Sequence, residues 1–429
     1  MARRLGRFRY GISALDQMAL SIFGFGLNLY LVRALSATHF GILSWWLTIG
    51  LLSINLQNTL VTSPLSIHLH AAFDPDRERR LEAAISGVNL VLTLVIVIIA
   101  VAVNSVLDTE WTPHDAFTAI AIPVFLAAGM LREYHRSVAF SRNDMPMLIW
   151  TDAPYLTVTT LCLTAMMIWP NRFANVPSAL LALSLGCIVS YALVHSRLPR
   201  TGSRSTWRYW LRDYRPLMGD LSWATIGGLA GHLQARAYVY ITANVVSAAG
   251  LASINVVGIL FRPVRLMLFA WSRSALPVLT QQLSSGRIKE FDRAFLTALG
   301  SAILASIVWL GVLRLGWAPI DRYFLLGRYP DAEILIISWA IAAAINVIDF
   351  TVSIALQAAR EFRFLAAATL VSAPITLLAT AAVVYWQGYT WTMYGTAFGN
   401  AVALAMCAVR LYTVRRKLIL QSAAPAKST

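Results

Sequence analysis

Apolar residues run through this chain in long blocks, without the one-faced periodicity of water-soluble helices. About twelve blocks stand out, at 12–32, 43–69, 82–106, 115–139, 146–169, 175–196, 217–242, 248–276, 294–317, 333–358, 363–386 and 388–411. A helix needs about 20 residues to cross the hydrocarbon core of a bilayer, so each block is long enough to span one. The pattern predicts an all-α integral membrane protein with about twelve transmembrane helices. Blocks seven and eight, and eleven and twelve, are parted only by short apolar turns around 243–249 and Gln387–Gly388. Prolines 64, 123, 154, 263, 277 and 374 lie within or at the edges of blocks. Each lacks a backbone donor and crowds the preceding turn, so kinks or opened helices are expected there.

Charge supplies the orientation. Arg3, Arg4, Arg7 and Arg9 precede the first block, and Arg77, Arg79 and Arg80 precede the third. The connection between blocks three and four carries Asp108, Glu110 and Asp115 and no cation. Cations concentrated in alternate connections place both termini in the cytoplasm, in agreement with Arg410, Arg415, Arg416 and Lys417 at the end of the last block and just beyond it. The composition agrees: 58% of residues are hydrophobic and 13% charged, where soluble proteins carry about 25% charged residues. A net charge of +15 suits a nucleic-acid binder in principle. Here the cations are cut up by apolar spans and form no single basic face, so no nucleic-acid partner is expected. Cys162, Cys187 and Cys407 sit inside blocks without metal-ligand spacing and read as small apolar side chains. No glycine-rich loop followed by lysine and serine or threonine occurs, so no ATPase or other cofactor is expected in this chain.

The chain divides into an N-terminal six-span lobe (1–200), a linker (201–216) and a C-terminal six-span lobe with a short tail (217–429). In the linker region Arg204, Arg208, Arg212 and Arg215 share one helical face, and Trp207, Trp210, Leu211 and Tyr214 another. That predicts an interfacial amphipathic helix with its cations toward anionic lipids. The halves echo each other: Ser53-Ile54-Asn55 returns as Ser253-Ile254-Asn255, Pro64 as Pro263, and Asp16 with Arg33 as Asp220 with Arg236. Six spans per half is an even number, so the repeat is parallel, and two such lobes suit alternating access.

Ionisable groups inside spans are costly and point to cavities or partners. Arg262 and Arg265 lie one turn apart in span eight with Pro263 between them, and no acid shares that span. Arg236 is in span seven and Arg33 at the end of span one. Together they suit a cationic cavity for a phosphorylated substrate, because guanidinium forks match phosphate oxygens. Arg33 alone also reads as a residue snorkelling to the interface. Asn55, Gln57 and Asn58 offer neutral groups for sugar hydroxyls, or for bonds between helices. Asp349, beside Asn346 in span ten, is a candidate for proton or sodium coupling, or for a fixed ion pair with Arg262.

Leu15-Asp16-Gln17, then Leu31-Val32-Arg33-Ala34-Leu35-Ser36 with Phe40-Gly41, and Gly395-Thr396-Ala397-Phe398-Gly399 in the last span resemble polysaccharide flippases (Wzx-like) of the multidrug/oligosaccharidyl-lipid/polysaccharide (MOP) exporter superfamily. The resemblance implies a MOP flippase-like fold of two six-helix lobes. It also implies passage of an undecaprenyl-pyrophosphate-linked oligosaccharide from the cytoplasmic to the periplasmic leaflet of the bacterial inner membrane. Cell-surface polysaccharide synthesis would follow, with polysaccharide-assembly proteins as further partners and a monomer as the working unit. Two other readings stay open: a cation-coupled multidrug exporter of the same superfamily, which would favour an acidic cavity, and a membrane glycan polymerase or ligase. The polymerase would be expected to carry a large outer loop, and the longest such connection, about Trp317 to Ala332, is short.

Overall fold

The computed structural model describes residues 2–68, 75–106, 110–111, 115–142, 144–196, 214–215 and 218–423. Among these the regular elements are all helical. They form two compact units, residues 1–229 and 230–429. The first holds α1 (Ala2–Ala34), α2 (Ala37–Gln57), a π-helical turn (Asn58–Thr62), α3 (Ser63–His68) and α4 (Pro75–Val106). It continues with α5 (Ala116–Ser141), α6 (Met145–Ile168), the short α7 (Pro170–Phe173) and α8 (Val176–His195). The second holds most of α9 (Met218–Val245), then α10 (Ala248–Leu260), α11 (Arg262–Ser284) and α12 (Ile288–Leu315). After α13 (Trp317–Ile320) come α14 (Ala332–Ala358), α15 (Phe362–Gln387) and α16 (Thr392–Ala423).

Every predicted block falls on a long helical segment, the second on α2–α3 and the eighth on α10–α11. Eight segments among the described residues are long and apolar enough to cross a membrane by themselves, and the bent pair α10–α11 makes up to nine. The other three blocks fall on α1, α6 and α9, where Asp16, Asp152, Gln234 and Arg236 dilute the apolar character. The surface is inverted relative to a soluble protein. Leu90, Val91, Leu94, Val95, Ile98 and Ile99 of α4 are all exposed, a helical stripe that water would penalise and lipid accepts. The chain is a multi-pass membrane protein.

Small residues bring helices close where lipid gives no hydrophobic drive. In the first unit a Cβ on Gly186 of α8 would lie 2.2 Å from Thr159 Oγ1 of α6. In the second, Gly395 and Gly399 of α16 are four residues apart, and a Cβ on either would strike α15 at Thr380 or Thr376. The turn that feeds α16 is set by Gly388, whose φ of +87° suits a residue without a Cβ.

Both units begin alike, with a long helix, a serine-capped turn and a second helix whose α-helical run is interrupted, by a π-helical turn in the first and by a bend of 46° in the second. Ser36 Oγ accepts from His39 N, and Ser247 Oγ from Gly250 N, the expected N-cap bond. Counted from these caps the Ser-Ile-Asn tripeptides stand at different depths, late in α2 and early in α10. The breaks themselves fall just before Pro64 and Pro263. Pro123, Pro154, Pro277 and Pro374 stay inside unbroken helices.

The units divide at Leu229/Ala230, within α9 rather than at residue 216, because the start of α9 packs with the first unit. A Cβ on Gly228 would lie 2.7 Å from the Thr59 side chain. Of the linker, Arg204, Trp207, Arg208, Trp210, Leu211 and Arg212 lie outside the described residues. Tyr214 is buried among Val61, Leu65, Ile85, Tyr134 and Val138. It does not face a bilayer edge.

Candidate functional site

The α10–α11 break builds the site. Pro263 has no N–H, so the Ile259 carbonyl loses its helical donor and the helix turns by 46° at Phe261. The Leu260 carbonyl is held by Trp309 Nε1 at 2.9 Å. Since α10 is 13 residues long, the break lies about 20 Å from its start, short of the about 30 Å that a full span covers. There α11 begins, presenting unsatisfied N–H groups and the positive end of its dipole. Arg262 is its first residue and Arg265 stands one turn on.

Among the described residues, Arg236 and Arg265 lie within electrostatic reach of Arg262, and Arg236 within reach of Arg265. Tyr238 Oη takes a hydrogen bond from Arg236 Nη1 (3.3 Å) and donates to Asn255 Oδ1 (3.1 Å). Three guanidinium groups are thus gathered at a helix N-terminus inside the membrane-spanning region. The positive end of the α11 dipole adds to the charge gathered there.

Beside it is a cavity of about 250 Å³ whose lining includes Arg265, Tyr238, Trp339, Asn346, Asp349 and Asn400. Arg265 is exposed and lines this cavity. Asp349 makes no ion pair among the described residues, and its Oδ1 is buried without a hydrogen-bond partner. The expected pairing of Asp349 with Arg262 is therefore not formed. Gln234 ties the cavity wall together: its Nε2 donates to Asn400 Oδ1 (3.1 Å), and Ser372 Oγ donates to its Oε1 (2.9 Å).

The remaining predicted residues belong to the first unit. Arg33 is exposed in the last turn of α1, a place where a cation also suits the helix dipole. Gln57 is fully buried, and its Nε2 donates to Asn89 Oδ1 and Met130 O, both at 2.6 Å. It joins helices. Asn58 Oδ1 accepts from Thr62 Oγ1 (3.0 Å) within the π-helical turn. Asn55 lies against Gly228, with its Oδ1 buried and unpartnered. Gln57 is therefore placed at a helix–helix contact, and Arg265 of α11 at a cavity.

Sequence reasoning missed an ion network in the first unit. Arg132 pairs with Asp152, and Arg136 Nε donates to the other oxygen of Asp152 at 3.0 Å. Asp16 and Glu133 each stand 3.6 Å from Arg136. The Arg132 guanidinium lies 3.9 Å over the Tyr155 ring, adding cation–π attraction. Asp152, isolated in an apolar block with Arg132 and Arg136 four residues apart in the neighbouring one, was the available signal. His232, which has no metal partner, sits 3.0 Å from Tyr240 Oη through its Nε2.

No family model and no curated protein matches the sequence. Solved structures do match its fold. An inward-facing multidrug resistance MATE family transporter of the MOP superfamily superposes with a TM-score of 0.73 at 13% identity, covering 94% of this chain and 96% of that one. The lipid II flippase MurJ in an inward closed conformation gives 0.70 at 11% identity, over 95% and 90%. A MOP superfamily transporter from Pyrococcus furiosus, described by the reversed polarity of its binding pocket, gives 0.55 at 13%, over 96% and 94%. The fold is that of MOP-superfamily transporters.

Proposed function

We propose that this protein is a flippase for an undecaprenyl-pyrophosphate-linked oligosaccharide. It would move the headgroup from the cytoplasmic to the periplasmic leaflet of a bacterial inner membrane, with both termini in the cytoplasm. The observation that carries the reading is the gathering of Arg236, Arg262 and Arg265 at the broken α10–α11 helix. A pyrophosphate crossing hydrocarbon meets a large desolvation barrier. Guanidinium forks and helix N–H groups placed within the membrane lower it, while the polyprenyl tail stays in lipid.

A multidrug exporter of the same superfamily is the second reading, favoured by the MATE neighbours and by the three acids gathered in the first unit, Asp16, Glu133 and Asp152. Arg132 and Arg136 already stand among those acids, which argues against a vacant cation cavity there. Proteoliposomes decide between the two. A fluorescent polyprenyl-pyrophosphate saccharide should change leaflet with the wild-type protein, and a lipophilic cationic dye should not be exported. Dye export without lipid translocation would overturn the flippase reading.

A further inference from the structure

The cavity beside the arginine cluster has a second chemical character that phosphate binding leaves unused. Asp349 Oδ1 is buried without a donor, and Asn346 lies one turn away on the same helix. Trp339 forms a rigid aromatic wall: its Nε1 donates to the Ile254 carbonyl at 2.9 Å, and Gly258 leaves room for the ring where a Cβ would stand 2.6 Å from it. Tyr238 meets Trp339 edge-on, with ring centroids 5.4 Å apart. A carboxylate oxygen seeking donors, neighbouring amides and an aromatic wall, with Phe261 stacked on one side of the Trp339 ring, together match a sugar ring. Its hydroxyls donate, and its C–H face packs on aromatic carbon. The cavity's 250 Å³ equals the liquid volume of about eight waters and falls below the range of roughly 300–1,000 Å³ usual for drug-sized ligands. That is space for one ring and not for an oligosaccharide.

We propose that this cavity is a saccharide subsite. It takes the sugar next to the phosphate, with ring hydroxyls donating to Asp349 and the ring face against Trp339, while Arg265 in the same lining holds phosphate. Of the amides expected as sugar ligands, Gln57 is bonded across helices and Asn58 within its own turn. This assignment rests on the reading of Arg262 and Arg265 as an anion site.

The test uses the full chain in detergent and two probes, a short-chain polyprenyl diphosphate and the same lipid carrying one hexose. Wild-type protein should bind the hexose form at least about tenfold more tightly, the range of one or two hydrogen bonds to a charged acceptor. Asp349→Ala should bring the ratio close to one while leaving the sugar-free lipid's Kd within about threefold. Asp349→Asn, which keeps an acceptor oxygen and nearly the same shape, should hold part of the preference. If Asp349→Ala does not fold, a drop of at least about threefold in the ratio for Asp349→Asn supports the subsite. An unchanged ratio in either folded variant overturns it, as does a collapse in Asp349→Asn as complete as in Asp349→Ala, which would mean that a cation is recognised. Failure of the underlying reading is separate: the sugar-free lipid would bind the Arg262→Ala, Arg265→Ala double variant as tightly as the wild type.

Discussion

The two broken helices solve one backbone problem and differ in what they do with charge. At α2–α3, Pro64 deprives the Leu60 carbonyl of its helical donor, and the hydroxyl of Tyr214 donates to that carbonyl instead. At α10–α11, the Leu260 carbonyl is held by Trp309 Nε1. Buried carbonyls in a membrane protein need such partners. The surroundings then diverge. The first break is neutral and packed, with Gln57, Asn58 and Thr62 engaged by neighbouring groups. The second opens with Arg262 and, one turn on, Arg265, which lines a cavity. The arginines of the units divide the same way: Arg132 and Arg136 are neutralised by acids, while Arg236, Arg262 and Arg265 act on one another. A paired buried arginine holds structure. The second set clusters at the start of α11.

The sharpest break in that contrast is Arg132→Ala. It takes one of two guanidinium partners from Asp152, which is 1% exposed and keeps Arg136, so the cost lies toward the lower end of the about 3–5 kcal/mol for breaking a buried pair. Thermal unfolding in detergent should fall steeply, and transport should fail through loss of folded protein. A normally stable Arg132→Ala protein that no longer transports would place function in the first unit and undo the distinction.

Next in size is the Arg262→Ala, Arg265→Ala double variant. It should unfold near the wild-type temperature and translocate the lipid-linked saccharide about 100-fold more slowly, as expected from losing charge-assisted bonds of about 1.5–3 kcal/mol each. Arg262→Lys should recover only part, because it keeps charge and loses the fork. Wild-type transport by the double variant would remove both residues from the site.

A packing change sharpens the comparison from within the second unit. Gly399→Leu would drive a side chain into Thr376, where even a Cβ would lie 2.0 Å from Oγ1. Overpacking of this kind costs about 1–3 kcal/mol. The expected result is a lowered unfolding temperature, with residual translocation that still responds to Arg262→Ala.

Much of the architecture was legible because block length and charge alternation report on lipid directly. Every apolar block became a helical segment, and Pro64 and Pro263 marked the helices that break. The breaks lie on the N-terminal side of each proline, since the missing donor would have served a carbonyl four residues earlier. Pattern could not tell which prolines break a helix. Pro123 and Pro154 lie in continuous helices with the same local sequence character. Arg262 and Arg265 were legible as cations without an acid in their span. The Arg132–Asp152 network was not, because its members come from α1, α5 and α6 and meet only once those helices pack. Gln57 could not be assigned from sequence either, since a polar side chain in a span reads alike whether it faces a cavity or Asn89.

The smallest effect tests whether the two breaks are equivalent as backbone structures. Tyr214→Phe removes the hydroxyl that serves the Leu60 carbonyl, and Trp309→Phe removes the donor of the Leu260 carbonyl. Each leaves a carbonyl unserved at a cost of about 1–3 kcal/mol, and the tryptophan variant loses some packing in addition. Similar drops in unfolding temperature are expected from both. Their transport effects should differ, because only the second carbonyl belongs to the turn that places Arg262 and Arg265. Trp309→Phe should therefore slow translocation beyond what its stability loss explains, and Tyr214→Phe should not. Equal slowing at matched stability would mean that the two breaks serve one motion equally, and the assignment of the chemistry to the charged break alone would have to be given up.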